Sequence, residues 1–259
     1  MAGTENERAE AAERFADRRI FISVVAFGGD DDVVGTVRHA LEAADRPARL
    51  RFGICHLYDE TATGADLFGD DPRVVLDRVP IHESGPLGWA RARTQAHFDS
   101  ERYFLQIDAP MRFVDGWDRR MIDQLETTGS ARPILADPQS PGLLFAHGRF
   151  VIDVPADPRI TADVEELTTT IRAYTHGYDA SRPDDHVVDR VDGARAPRDG
   201  AVDPAARLAA LARAQRLLGG DDRGFGRFGF GCLRTIAAHE HLTGRRLLAE
   251  LASSRSERQ

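Results

Sequence analysis

The first strongly patterned stretch of the chain is Ile20-Phe21-Ile22-Ser23-Val24-Val25-Ala26-Phe27, a nearly continuous run of β-prone residues. Such a run is expected of a strand that is buried on both faces, as in a parallel sheet. It ends in Gly28-Gly29-Asp30-Asp31-Asp32, which signals a turn and the start of a helix over about 33–44. A second strand is predicted at 51–58. This βαβ beginning predicts an α/β fold whose ligand site lies at the carboxyl ends of the strands.

Strands and helices continue to alternate along the rest of the chain. The pattern predicts a helical C-terminal appendage, made of helices at about 204–218 and 233–242 on either side of a glycine-rich stretch. Residues 184–204 are rich in Asp, Arg, Gly and Pro, which predicts a mobile loop. The remaining predicted strands are 73–79, 103–107, 133–136 and 143–154, and the remaining predicted helices are 85–98, 115–125 and 163–174.

The composition excludes several classes of protein. The 259 residues carry 42 acidic and 34 basic side chains, a formal net charge of -8, which argues against a nucleic-acid partner. Every basic residue is arginine, a usage typical of high-GC bacteria. Without lysine, a P-loop nucleotide site and a lysine Schiff base are both excluded. No Gly-x-Ser-x-Gly elbow occurs either, which weakens an α/β-hydrolase interpretation.

The chain shows no export signal and no membrane span. Its charged first 19 residues contain no apolar run of the kind found in signal peptides, and no stretch approaches the ~20 apolar residues that cross a bilayer. We therefore expect a cytoplasmic protein. The two cysteines, Cys55 and Cys232, are too few for a disulfide scaffold, and whether they form one bridge stays open.

Three groups of residues are candidates for chemistry. Asp108 directly follows the predicted strand 103–107, where it could bind a ribose or a divalent cation, or merely cap the next turn. Glu165 and Glu166 could supply a base or orient an acceptor hydroxyl, or else be solvated charges near a helix N-terminus. His186 could complete a metal site with a carboxylate, or be a surface residue of its loop.

The order of several motifs carries a family resemblance. The segments Gly85-Pro86-Leu87-Gly88-Trp89-Ala90-Arg91, then YFLQIDAPMRF at 103–113, then Gly116-Trp117-Asp118 resemble the N-acetylglucosaminyltransferase family. The best-known eukaryotic members of that family modify hydroxyproline on a cytoplasmic ubiquitin-ligase subunit. Weaker matches in the same order extend the resemblance over roughly 20–244, among them Thr175-His176-Gly177-Tyr178-Asp179 and Phe228-Gly229-Phe230-Gly231.

The resemblance implies a GT-A glycosyltransferase fold and a donor substrate. It divides residues 20–244 into a Rossmann-like donor half, about 20–114, and an acceptor half, about 115–244. A charged lead-in (1–19) and a polar tail (245–259) lie outside this domain. The implied reaction moves a sugar, GlcNAc first among the candidates, from a UDP-sugar to a hydroxyl on a peptide, a protein or a small metabolite.

The family's site residues carry over position by position. The family holds a divalent cation, Mn²⁺ or Mg²⁺, with an Asp-x-His motif and a later histidine. Asp108 takes the place of the aspartate and His186 that of the later histidine, while Glu165 and Glu166 fall at the acidic pair near the transfer site.

The expected donor contacts lie in two places, and the resemblance implies the first of them. The end of the first strand, with Ala26, Phe27 and Asp30, would meet the uracil and the ribose. Arg91, the last residue of the 85–91 motif, is the remaining expected donor contact.

The sequence departs from the family pattern close to the expected donor site. Pro110 stands where the family has the histidine two residues after the aspartate, and Val164 stands where it has a glycine before the acidic pair. Three outcomes follow: a cation held by Asp108, His186, water and the diphosphate; a dispensable cation, with arginines neutralising the diphosphate; or loss of catalysis. The rival functions are a noncatalytic nucleotide-sugar or protein-binding member of the fold, and a metal-dependent hydrolase using Asp108 and His186.

Overall fold

A computed structural model describes residues 18–64, 66–136, 142–184, 187–191, 199–221, 223–249 and 251. Its centre is a seven-stranded mixed sheet with the strand order β3-β2-β1-β4-β7-β6-β8, next to a two-stranded sheet of β5 and β9. The strands are β1 Ile20–Gly28, β2 Leu50–Tyr58, β3 Val74–Pro80, β4 Tyr103–Asp108, β5 Met111–Phe113, β6 Pro133–Ala136, β7 Leu144–His147, β8 Asp179–Ser181 and β9 Val188–Arg190.

The predicted βαβ beginning is present. β1 pairs in parallel with β2 on one side and with β4 on the other, and β2 pairs in parallel with β3. β7 is antiparallel to both β4 and β6, while β8 is parallel to β6. The chain moves outward from β1 to β3 and then crosses to the far side of β1 to form β4, which makes the crevice between β1 and β4 a switch point of the topology.

The helices are α1 Asp30–Glu42, α2 Leu87–Gln95, α3 Trp117–Thr127, α4 Arg149–Asp153, α5 Ala162–Thr175, α6 Pro204–Leu218 and α7 Ile236–Thr243. All of them except α4 lie where the sequence predicts them. α6 and α7 are the two helices of the predicted C-terminal appendage. α7 begins three residues later than predicted, because the Thr235 side chain caps it by accepting a hydrogen bond from the Ala238 N–H at 3.1 Å.

Two predictions from the sequence pattern need correction. The stretch 143–154, predicted as strand, is strand β7 followed by the short helix α4. In the single turn of α4, Phe150 and Val151 are buried and Ile152 is exposed. An apolar run this short fits a strand and a helix equally well, so the sequence pattern does not distinguish them. The predicted loop 184–204 contains β9, whose three residues are too few to give a periodic signal.

Burial on both faces explains the continuous apolar run of β1. Ile22 and Val24 face a core shared with α1 and α3. Phe21 faces the opposite side, where it packs with Phe104 and Phe150. Alternate side chains of β1 therefore serve different cores, which is why the strand tolerates few polar residues.

The C-terminal helices share a smaller core with α5. Ile160 and Val164 pack there against Ala214 of α6, together with Leu247 and Leu251 from the predicted polar tail. The domain limits drawn from the sequence stay a prediction, but the core continues past residue 244 at these two leucines.

Two further features concern the whole chain. Cys55 is buried and Cys232 is exposed, and both are free thiols. Among the described residues, none of the helices combines the length and the apolar composition needed to cross a bilayer.

Candidate functional site

Asp108 is the last residue of β4 and lies at the carboxyl edge of the sheet. Its register partner is Val25 of β1, and the next residue, Ala109, donates its N–H to the Val25 carbonyl at 2.9 Å. The ligand crevice of an α/β sheet is expected at this edge. The Asp108 side chain, however, is only 1% exposed.

Arg91 of α2 covers the Asp108 carboxylate. Its Nη1 lies 3.0 Å from Oδ1, and its Nη2 donates to Oδ2 at 3.1 Å, so the guanidinium faces both carboxylate oxygens. Arg91 is fully buried. Although burial opposes its charge, Asp108 and then Glu165 outweigh that effect and raise the pKa of Arg91 above its ordinary value.

Glycine at position 88 allows α2 to bring Arg91 close to α5. A Cβ at Gly88 would clash with the Asp157 carbonyl, and the Gly88 N–H donates to the Ile160 carbonyl at 3.0 Å. The segment that leads into α5 therefore packs directly on the start of α2. A packing requirement thus explains one residue of the 85–91 motif.

The structure separates the two residues of the acidic pair. Glu165 Oε1 lies 3.4 Å from Arg91 Nε, and the Glu165 side chain is 12% exposed, whereas Glu166 is exposed on the helix surface. Burial is the main cause that raises the pKa of Glu165; the charges of Asp108 and Glu166 add to it, and Arg91 opposes it. Glu165 is therefore the member of the pair that forms a buried cluster with Asp108 and Arg91.

A second arginine approaches Asp108 from β9. Arg190 Nη2 lies 3.9 Å from Asp108 Oδ2, and the Arg190 side chain is 17% exposed. The small sheet of β5 and β9 brings Arg190 to this position. In that sheet Arg190 pairs with Met111, which lies three residues after Asp108 in the chain. The cluster thus has one buried guanidinium and one that reaches solvent.

Gly142 closes another side of the cluster. Its φ is +91°, in the left-handed region that favours glycine, and a Cβ at this position would clash with the Asp108 carboxylate. The Gly142 backbone therefore lies directly against Asp108. Together with Arg91, it accounts for the low exposure of that carboxylate.

Asp30 lies in a separate polar cluster at the ends of β1, β2 and β3. Its Oδ2 accepts the N–H groups of Thr63 and Gly64 at 2.7 and 2.6 Å, and its Oδ1 accepts Arg78 Nη2 at 2.8 Å. Burial acts to raise the pKa of Asp30, but these backbone hydrogen bonds and Arg78 outweigh it, so the pKa is lowered. Asp30 thus ties the loop after β2 to the start of α1.

The other residues predicted at this edge differ in position. Ala26 is fully buried in the core that β1 shares with α1, and Phe27 is partly buried on the opposite face of β1. His56 of β2 lies between the strands, with Nε2 2.9 Å from the Gly28 carbonyl and Nδ1 3.7 Å from Asp30 Oδ1. Burial lowers the pKa of His56, which favours its neutral form.

The described residues do not fit a divalent-cation site. His186 lies outside them, Pro110 has no side-chain donor, and across those residues no three His, Cys, Asp or Glu side chains come together as ligands. A cation on Asp108 would also stand within a few ångströms of the guanidinium groups of Arg91 and Arg190, which carry the same sign of charge. The hydrolase alternative depends on the same ligands and is weakened for the same reason.

Sequence reasoning missed Arg190, Arg78 and His56. His56 and Arg78 stand near the ends of predicted strands, and a polar residue there is a signal that could have singled them out. Arg190 carried no such signal because it stood in a predicted loop. The departure at Val164 has a packing explanation, since this residue is 2% exposed against Ile160 and Ala214.

The chain matches the model of a known protein family. The family model described as Glycosyltransferase (GlcNAc) matches residues 60–140 and 130–198, together more than half of the chain. No curated protein matches the chain significantly. The resemblance read from the sequence motifs is therefore confirmed.

Solved structures of a glycosyltransferase share the fold. S. aureus TarS 1-349 in complex with UDP-GlcNAc superposes with a TM-score of 0.56 at 13% identity, covering 89% of this chain and 71% of that one. Its complex with UDP gives 0.56 at 10% identity, covering 90% and 70%. A longer TarS structure gives 0.52 at 10% identity, and there 80% of this chain spans 42% of that one. The predicted GT-A fold is confirmed.

Proposed function

Because the chain belongs to the GlcNAc glycosyltransferase family, we propose that it transfers a sugar from a UDP-sugar donor to a hydroxyl acceptor. GlcNAc is the sugar that the family favours, and a peptide, a protein or a small metabolite could carry the hydroxyl. The observation that carries the proposal is the cluster of Asp108, Arg91, Glu165 and Arg190 at the carboxyl edge of β4. The UDP-GlcNAc and UDP bound in the TarS structures support this choice of donor.

In this proposal the donor lies across the carboxyl ends of β1, β2 and β4. The uridine would lie near Phe27 and the Asp30 cluster, and the diphosphate near Arg190. Arg190 suits that role because its guanidinium is partly exposed beside the buried Arg91–Asp108 pair. Guanidinium groups pair with phosphate oxygens through charged hydrogen bonds.

Arginine would take over the neutralising role that a divalent cation has in the family. Asp108 is occupied by Arg91, so its charge holds the buried guanidinium in place instead of ligating a metal. Arg190 would then stabilise the negative charge on the departing UDP. Donor binding is accordingly expected without added Mn²⁺ or Mg²⁺.

Glu165 is the proposed general base. As the acceptor oxygen bonds to the anomeric carbon and the bond from that carbon to UDP breaks, the hydroxyl proton would pass to the Glu165 carboxylate. A carboxylate whose pKa is raised by burial accepts a proton more readily than an exposed one. Glu166, exposed one position further along α5, lies outside the buried cluster and takes no part in the proposed proton transfer.

The first test is the affinity for UDP after Arg190→Ala. Loss of a charged hydrogen bond costs about 1.5–3 kcal/mol, so UDP binding measured by isothermal titration should weaken by about 10- to 100-fold. Arg112→Ala is the matched control, because Arg112 is an exposed arginine of the neighbouring strand β5. Equal UDP affinity of wild type, Arg190→Ala and Arg112→Ala would contradict the proposed diphosphate contact.

A noncatalytic donor-binding protein is the second candidate. The replacement of the expected metal-binding histidine by Pro110, together with the buried state of Asp108, favours it. The two candidates differ in turnover, since a binding protein would retain UDP-GlcNAc and would transfer no sugar from it to water or to any hydroxyl acceptor.

A further inference from the structure

A cavity lined by arginine lies at the end of the sheet opposite the proposed donor site. Its volume is about 510 Å³, and its lining includes Arg18, Arg46, Arg49 and Arg119 with two aspartates, Asp45 and Asp118. Arg18 precedes β1, and Arg46 and Arg49 precede β2, so these residues stand at the amino ends of the strands. With nine residues in β1, the two edges are roughly 25–30 Å apart.

Both aspartates of this arginine-lined cavity already have partners. The two carboxylate oxygens of Asp118, a buried residue, accept the N–H groups of Asp45 and Arg46 at 2.8 and 3.0 Å. Asp45 Oδ2 accepts Arg119 Nε at 2.8 Å. Asp118 thus serves to hold the loop before β2, and Asp45 serves to neutralise Arg119.

Arg46 and Arg49, in contrast, lack such partners. In the part of the chain that the structure describes, neither guanidinium forms an ion pair, a side-chain hydrogen bond or a ring contact. Arg46 and Arg49 thus leave two positive charges at the cavity that have no ion-pair partner among the described residues. This excess stands out in a chain whose net charge is -8.

We propose that the arginine-lined cavity binds a small molecule through a phosphate or diphosphate group, at a site separate from the donor site. A guanidinium group can bind two phosphate oxygens through a pair of parallel hydrogen bonds. The guanidinium groups of Arg46 and Arg49 are available for such bonds. A phosphate monoester carries about two negative charges near pH 7, which balances the local excess. The volume lies within the range of ordinary small-molecule sites.

The absence of lysine provides a local test. Arg49→Lys keeps the positive charge and introduces the only lysine side chain, whose acylation by an amine-specific reagent can be followed by mass spectrometry. Inorganic pyrophosphate is the probe, added to protein already saturated with UDP. At about ten times its Kd it should slow acylation of the introduced amine by about tenfold.

Two controls complete the test. Arg227→Lys introduces a single lysine at an exposed position of the 226–228 turn, and its acylation rate should not change with pyrophosphate. Arg46→Lys repeats the measurement from the neighbouring arginine. The proposal is overturned if pyrophosphate slows acylation at neither position 46 nor position 49, or slows it equally at 227.

An independent measurement separates this site from the donor site. The double variant Arg46→Ala/Arg49→Ala should lose at least tenfold in pyrophosphate affinity while its UDP affinity is unchanged. Unchanged pyrophosphate affinity, or an equal loss for both ligands, would contradict a separate site.

Discussion

Asp108→Ala is expected to lower the free energy of unfolding by about 3–5 kcal/mol, because it leaves the Arg91 charge buried without its main partner. Glu165 Oε1, 3.4 Å from Arg91 Nε, remains as one ion-pair partner, but it does not replace the two contacts that Asp108 makes with Nη1 and Nη2. Chemical denaturation at neutral pH, without donor or metal, measures the effect. If Asp108 were mainly a ligand for a substrate or a cation, its removal from the free protein would have little effect on stability.

A double variant that removes both partners identifies the cause of that loss. Arg91→Met/Asp108→Leu removes both charges and should be less destabilised than the Asp108→Ala variant. Asp123→Ala is the control, since Asp123 is an exposed aspartate of α3, and its effect should stay within about 0.5 kcal/mol. A change for Asp108→Ala as small as that of the control would mean that Asp108 is not the structural partner of Arg91.

Glu165→Gln is expected to reduce the turnover of UDP-GlcNAc by about 10²- to 10⁴-fold, the range of a lost general base. Glu166→Gln should have a far smaller effect, because Glu166 is exposed and lies outside the buried cluster. The release of UDP, with water or with added hydroxyl acceptors, measures both variants. Comparing neighbouring glutamates of the same helix separates a role in chemistry from a general effect of removing charge.

The pH dependence gives a second readout of the same prediction. A base works when it is deprotonated, so the rate should rise with pH as Glu165 loses its proton. Because the pKa of Glu165 is raised, this rise should occur above the range of an ordinary glutamate, and it should disappear in Glu165→Gln. Equal losses in the two glutamine variants, or an unchanged pH profile in Glu165→Gln, would contradict the assignment.

The donor half of the fold could be predicted because its elements are long and strongly patterned. β1 and β2 have nine residues each, and the nearly continuous apolar run of β1 reflects burial on both faces. β5, β8 and β9 have three residues each, and no period can be read from so few positions. These short strands form by pairing with distant segments, so local sequence carries little information about them.

The site could be predicted in part for a similar reason. The place of Asp108 follows from local sequence, since it ends an apolar strand. Its pairing with Arg91 joins β4 to α2 and depends on the packing that Gly88 allows, which no local pattern reveals. The difference between Glu165 and Glu166 also comes from packing, because successive helix positions point about 100° apart and only one of them turns toward α2.

Titration of the wild-type protein with UDP-GlcNAc, once with EDTA and once with Mn²⁺, tests most directly whether this edge of the sheet binds a donor without a metal. The arrangement of Arg91, Asp108 and Arg190 predicts binding with the same affinity in both conditions. Binding that appears only with Mn²⁺ would contradict the arginine-based site and restore Asp108 as a metal ligand. Absence of binding in both conditions would contradict the proposed donor itself.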